Sequence, residues 1–111
     1  MFDQAVTNIP EELEYKKNAI KVKEGYLLYI EPSPKVVKNN SLNINFVSSV
    51  DNNIWIKVRI LNDVQEVIGE TGLIKPGEYL KNVKLNCVLE KNDKITYKIM
   101  GYEKDSYLSA G

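Results

Sequence analysis

The stretch ETGLIKPGEYLKNVKL, residues 70–85, sets Gly72, Pro76 and Gly77 into a run that otherwise alternates apolar and charged side chains. Three readings compete for it: a glycine loop around a phosphate, a peptide-binding edge, and the corner of a β-sandwich. A phosphate loop needs closely spaced glycines between a strand and a helix. Here extended segments flank the turn on both sides. Pro76 and Gly77 fit positions i+1 and i+2 of a type II turn, because proline presets φ and glycine accepts φ > 0. After the turn, Val83 and Leu85 share one face while Lys81 and Lys84 break toward solvent. The corner reading prevails, with Pro76 and Gly77 as a structural turn.

The flanking sequence has the same period. In SLNINFV, Leu42, Ile44 and Phe46 point one way and Asn43 and Asn45 the other, the pattern of a half-buried strand. IWIKVRIL turns Ile54, Ile56, Val58 and Ile60 inward and Trp55, Lys57 and Arg59 outward. Between these two runs DNN, residues 51–53, reads as a turn, and Asn62-Asp63 reads as a tight hairpin into VQEVIGE. Pro32 and Pro34 interrupt pairing after YLLYIE. EKND, residues 90–93, is a further turn, and KITYKIMGY carries Ile95, Tyr97 and Ile99 on one face. About seven short strands with regularly spaced turns describe a mainly β, antiparallel sandwich.

One helix is expected, in NIPEELEYKKNAIKVKEG. Asn8 can cap it, Pro10 suits its first turn, glutamates precede lysines along the dipole, and Gly25 can end it. Its apolar face is thin, and its last turn, AIKVK, alternates and also fits a strand. The expected organisation is an N-terminal helical segment or stalk over residues 1–24 and a β-sandwich domain over residues 25–111.

Composition narrows the function classes. The 111 residues balance 15 basic against 15 acidic side chains, so no net field draws the chain to nucleic acid. Arg59 is the single arginine, whereas phosphate readers favour arginine forks. Histidine is absent and Cys87 is the only cysteine. Ser-His-Asp and Cys-His catalysis and His- or Cys-based zinc sites are therefore excluded, as is an internal disulfide. Cys87 reads as a small buried hydrophobe. No apolar run approaches the ~20 residues that span a bilayer.

The motifs LND…EVIGETGLIKPGEYLKNVKLNCVLEKND and YKIMGYEKD resemble a family of small proteins from Gram-positive bacteria, often carried on mobile elements. That resemblance covers nearly the whole chain. It implies an N-terminal membrane anchor, an acidic helical stalk and an extracellular immunoglobulin-like β-sandwich, with no catalytic motif to carry over. The anchor is then expected to precede Met1, and the final alternating strand, begun in DSYLSAG, to stop early. The edge of the strand at 94–102 would be left open.

The expected function is a non-enzymatic, cell-surface, membrane-tethered protein-interaction module. Alternatives are a structural subunit assembling through sheet edges, as in pili or appendages, and a cytoplasmic interaction protein of a phage or mobile element. The partner is a protein, or the chain itself through an exposed sheet edge; no nucleic acid and no cofactor are expected, and membrane contact comes only through the anchor. Candidate partner-binding residues are Trp55, Tyr79, Tyr102 and Tyr107, since tryptophan and tyrosine concentrate at binding hot spots. Each has a structural alternative. Trp55 would be half-covered by the N-terminal segment, and the tyrosines would be rim and corner residues. The tyrosines also fit a sugar-binding surface. Asp51 and Asp93 each offer one carboxylate, too few for calcium, so no metal is expected. Glu66, Glu70 and Glu78 read as a solvated strand face and not as a hydrolytic carboxylate pair.

Overall fold

A computed structural model describes residues 2–10, 20–21, 27–32, 34–37, 40–89 and 93–103. The protein is mainly β. In chain order the strands are β1 (Thr7–Asn8), β2 (Ile20–Lys21), β3 (Leu27–Tyr29), β4 (Lys35–Val37), β5 (Ser41–Ser48), β6 (Ile54–Leu61), β7 (Val67–Glu70), β8 (Glu78–Lys84) and β9 (Thr96–Glu103). They form a six-stranded sheet, ordered β1-β8-β5-β3-β2 with β4 also on β5, and a three-stranded sheet, β7-β6-β9. Every pairing between named strands is antiparallel. The described strands exceed the expected seven because short pairings at residues 7–8 and 20–21 join the sheet and the proline kink separates β3 from β4.

No described residue is α-helical. Asn8, expected to cap a helix, is paired in β1, and Ile20–Lys21 pair with β3. The middle of the expected helix, residues 11–19, lies outside the described residues, as do residues 22–26. The thin apolar face explains this outcome at the two ends. Helical stability in a protein comes mostly from packing an amphipathic face, and the alternating AIKVK run offers a sheet edge a better match. Residues 2–8 likewise belong to the β-structure: Phe2 bridges Leu73 of the three-stranded sheet's margin, and Thr7 faces Tyr79 of β8. The division at residue 24 is therefore not where the β-structure begins.

The alternations of β5 and β6 build one core. Leu42, Ile44 and Phe46 meet Ile56, Val58 and Ile60, with Leu28, Ile68, Ile74, Leu80 and Val83 filling the same cluster. Each such side chain contributes roughly 1.5–3 kcal/mol of burial, against which the entropy of ordering the strands is set. Cys87 packs half-buried against this cluster, as a small hydrophobe does.

The chain crosses from one sheet to the other through residues 49–53. There Asn52 is buried. Its Oδ1 accepts the Leu27 amide at 2.8 Å, and its Nδ2 donates to the Leu27 carbonyl at 2.6 Å and to Ser48 Oγ at 3.1 Å. One side chain thus supplies β3 with the two bonds that a neighbouring strand would make. The next connection departs from the expected two-residue hairpin. Gln65 is left-handed at φ 67°, and the Asn62 amide donates to the Glu66 carbonyl at 2.9 Å, so the loop spans Asn62–Glu66. Asn62 Oδ1 holds it by accepting the amides of Val64 and Glu66.

The Pro76-Gly77 turn has the expected geometry. Gly77 lies at φ 81°, and the Glu78 amide donates to the Lys75 carbonyl at 3.1 Å, closing a type II turn. The Gly77 amide also donates to the Ser48 carbonyl at 2.8 Å, fastening the turn to the end of β5. A Cβ at Gly77 would lie 3.1 Å from Val50 Cγ1. Gly77→Val is expected to destabilise the fold by roughly 1–3 kcal/mol; a variant that melts at the wild-type temperature contradicts the left-handed turn.

Candidate functional site

The outer face of the three-stranded sheet gathers the charged and aromatic side chains that β6 points away from the core. Residues directly opposite each other across an antiparallel pair share a face. The register sets Trp55 opposite Tyr102, Lys57 opposite Met100 and Arg59 opposite both Lys98 on β9 and Glu70 on β7. Of the four candidate aromatic residues, the fold brings Trp55 and Tyr102 together. Tyr79 is on the other sheet, 8% exposed, with its hydroxyl donating to Asn45 Oδ1. Tyr107 lies outside the described residues.

Trp55 is 9% exposed. The ring of Phe2 covers it edge-on, with centroids 4.7 Å apart and planes at 77°, and Lys75 Nζ sits 4.4 Å over the Phe2 ring. Trp55 is thus covered by the N-terminal segment, and the exposed-anchor alternative does not describe it. Backbone chemistry holds that cover in place. The Asp3 amide donates to the Leu73 carbonyl at 2.9 Å, while Asp3 Oδ2 accepts the Gly72 amide at 2.8 Å and Oδ1 the Ala5 amide at 2.9 Å. The approach is so close that a Cβ on Gly72 would stand 2.6 Å from the Asp3 nitrogen. Only glycine admits the strap. Tyr102 remains half-exposed, its hydroxyl 3.8 Å from Met100 Sδ.

Glu70 organises the charges. Lys57 Nζ lies 2.6 Å from its Oε1 and Arg59 Nε 2.7 Å from its Oε2, so each carboxylate oxygen has its own cation. The hydrogen bond from Lys57 is the main cause that holds the Glu70 carboxyl below the ordinary glutamate range; partial burial opposes it and Arg59 adds to it. With Lys98 on the same face, three cations stand against one anion here among the described residues. Glu66 and Glu78 are elsewhere, each tied to its own turn: Glu66 Oε1 accepts Asn62 Nδ2, and Glu78 Oε1 accepts the Lys75 amide at 2.6 Å. The three glutamates do not converge. Among the described residues no group of three or more His, Cys, Asp or Glu side chains is placed to hold a metal ion.

β9 forms the margin of this face. Its eight residues ladder with β6 along their whole length, and among the described residues no strand pairs its other edge. Tyr97 and Ile99 turn toward the core, and Lys98 and Glu103 are exposed. The outward set of β6 was readable from its alternation, but Glu70 as the shared anion was not, because its register against β6 depends on the bulge near Leu61. Compared with known proteins, the chain matches no protein-family model, no curated protein and no solved structure.

Two outcomes test this site. Gly72→Ala is expected to lift the N-terminal strap and shift the emission of Trp55, the only tryptophan, to the red; unchanged emission contradicts the strap. The second concerns acid. A carboxyl whose folded pKa is depressed adds stability above its unfolded value, and that contribution is lost as pH falls through the carboxylate range. Wild type is therefore expected to lose more stability than Glu70→Gln between about pH 6 and about pH 3. Parallel acid limbs in chemical denaturation would show that the ion pairs do not couple to folding.

Proposed function

We propose that this chain is a non-enzymatic protein-interaction module, an immunoglobulin-like antiparallel sandwich that docks an extended segment of another polypeptide along β9. The observation that carries this reading is the eight-residue ladder of β9 with β6, whose far edge has no strand beside it among the described residues. An open edge offers backbone N–H and C=O groups in a row, which gives affinity, while alternate side chains give selectivity. On the outer face the incoming segment would lie next to Lys98, Met100 and Tyr102, with Lys57 and Arg59 one strand further in. Three cations against Glu70 favour acidic side chains at alternate positions of that segment. Tyr102 would supply the rim contact. The strand expected from DSYLSAG falls outside the described residues. The resemblance to membrane-anchored surface proteins supports a place outside the cell, tethered through an anchor upstream of Met1.

Amide exchange tests the edge. In dilute protein, alternate amides of Thr96–Glu103 are expected to exchange rapidly and to become protected when a partner strand is added or the concentration is raised. Full protection of every β9 amide in a strict monomer contradicts the reading.

A further inference from the structure

The other sheet carries a break that strand addition does not use. β5 is flanked on one edge first by β4, at Ser41–Asn43, and then by β3, at Val47–Ser48. Between them both sides of the ladder are interrupted. Pro32 and Pro34 have no amide to donate. Asn45 takes a left-handed φ of 42° where the register of β5 shifts against β8. Bulges of this kind re-aim side chains. Glu31, Lys35, Asn43 and Asn45 line a hollow of about 200 Å³ at this gap.

The walls are held from behind. Tyr97 donates its hydroxyl to the Glu31 carbonyl at 2.8 Å, and the Glu31 amide donates to the Ile44 carbonyl at 2.7 Å. Tyr29 donates to Glu31 Oε2 at 3.3 Å, and Tyr79 to Asn45 Oδ1. These bonds decide what the hollow can offer. With Oδ1 of Asn45 taken, its Nδ2 is left as a donor, and Glu31 keeps Oε1 as an acceptor. Among the described residues the side chains of Asn43 and Lys35 make no hydrogen bond or ion pair, so an amide and an ammonium also face the space.

We propose that this hollow binds one ring of a sugar through its neighbouring hydroxyls. A hydroxyl both donates and accepts, and adjacent hydroxyls match planar amide and carboxylate groups two at a time. The lining supplies both roles: donors from Asn43, Asn45 and Lys35, acceptors from Glu31 and Asn43. Other ligand classes fit less well. One carboxylate beside a lysine is too weak a set for a metal ion, and that carboxylate repels phosphate. The opposed charges of Glu31 and Lys35 leave a neutral polar site. Tyr29, Tyr79 and Tyr97 act as positioning residues that fix Glu31 and Asn45 before the ligand arrives.

The test is amide-resolved NMR on the whole chain, titrated separately with methyl galactoside, methyl mannoside, N-acetylglucosamine, glycine and inorganic phosphate. Saturable shifts of the Asn43 and Asn45 side-chain amides with at least one sugar are expected, weakened about tenfold or more in Asn43→Ala. Lys35 is exposed, so Lys35→Ala provides the same readout if Asn43→Ala does not fold. The proposal is overturned if no sugar produces a saturable shift at these amides. It also fails if glycine or phosphate shifts them as strongly as the best sugar, or if the folded variant binds sugar as wild type does.

Discussion

The buried carboxamide of Asn52 is the contact on which the arrangement of the sheets depends. The chain has five residues, 49–53, to leave β5 in one sheet and start β6 in the other. The crossing passes beside the start of β3, where the Leu27 amide and carbonyl need partners, and an unpaired buried backbone group costs about 1–3 kcal/mol. Asn52 meets that need from its side chain, closing on both backbone groups of Leu27 and on the Ser48 hydroxyl. It therefore ties three places together: the crossing, the end of β5 and the start of β3. The Gly77 amide reaches the Ser48 carbonyl beside it, so the Pro76-Gly77 turn is fastened to the same corner.

With that corner fixed, the rest follows from alternation. β6 enters with Ile54, Ile56, Val58 and Ile60 facing β5, and a slip of one residue would exchange core and surface sets. The same register points Lys57 and Arg59 outward, where Glu70 takes one cation on each oxygen. It also places β9 along the other side of β6 from β7, making β9 the margin of the sheet among the described residues. On the other sheet, pinning Leu27 starts β3 at a set position against β5, so the proline kink falls opposite Asn45. One corner thus determines both the edge proposed for strand docking and the hollow proposed for a sugar.

The sequence shows local chemistry well and long-range partnership poorly. Pro76-Gly77 was legible because its φ preferences belong to the two residues themselves. The core faces of β5 and β6 were legible because period two is written in their side chains. The bulge at Asn45 was not: LNINF alternates without a flaw, and the extra residue shows only in the pairing with β8. Asn52 was read as turn chemistry, which its residue type explains equally well, while its partner Leu27 is remote in sequence. Trp55 was correctly turned away from the core stripe, yet its burial depends on Phe2 arriving from the far end of the chain. The expected helix shows the reverse error. Its capping signals are local, whereas at the described ends Asn8 and Ile20 pair in strands.

The account rests on Asn52 holding the crossing, and Asn52→Ala tests this most directly. Removing the carboxamide takes from the Leu27 amide its acceptor and from the Leu27 carbonyl one of its two donors, the Ser49 amide remaining at 3.3 Å. Equilibrium denaturation is predicted to show a loss of about 2 kcal/mol or more, together with faster amide exchange at Leu27. An Asn52→Ala protein with the wild-type midpoint and unchanged exchange at Leu27 would contradict the account.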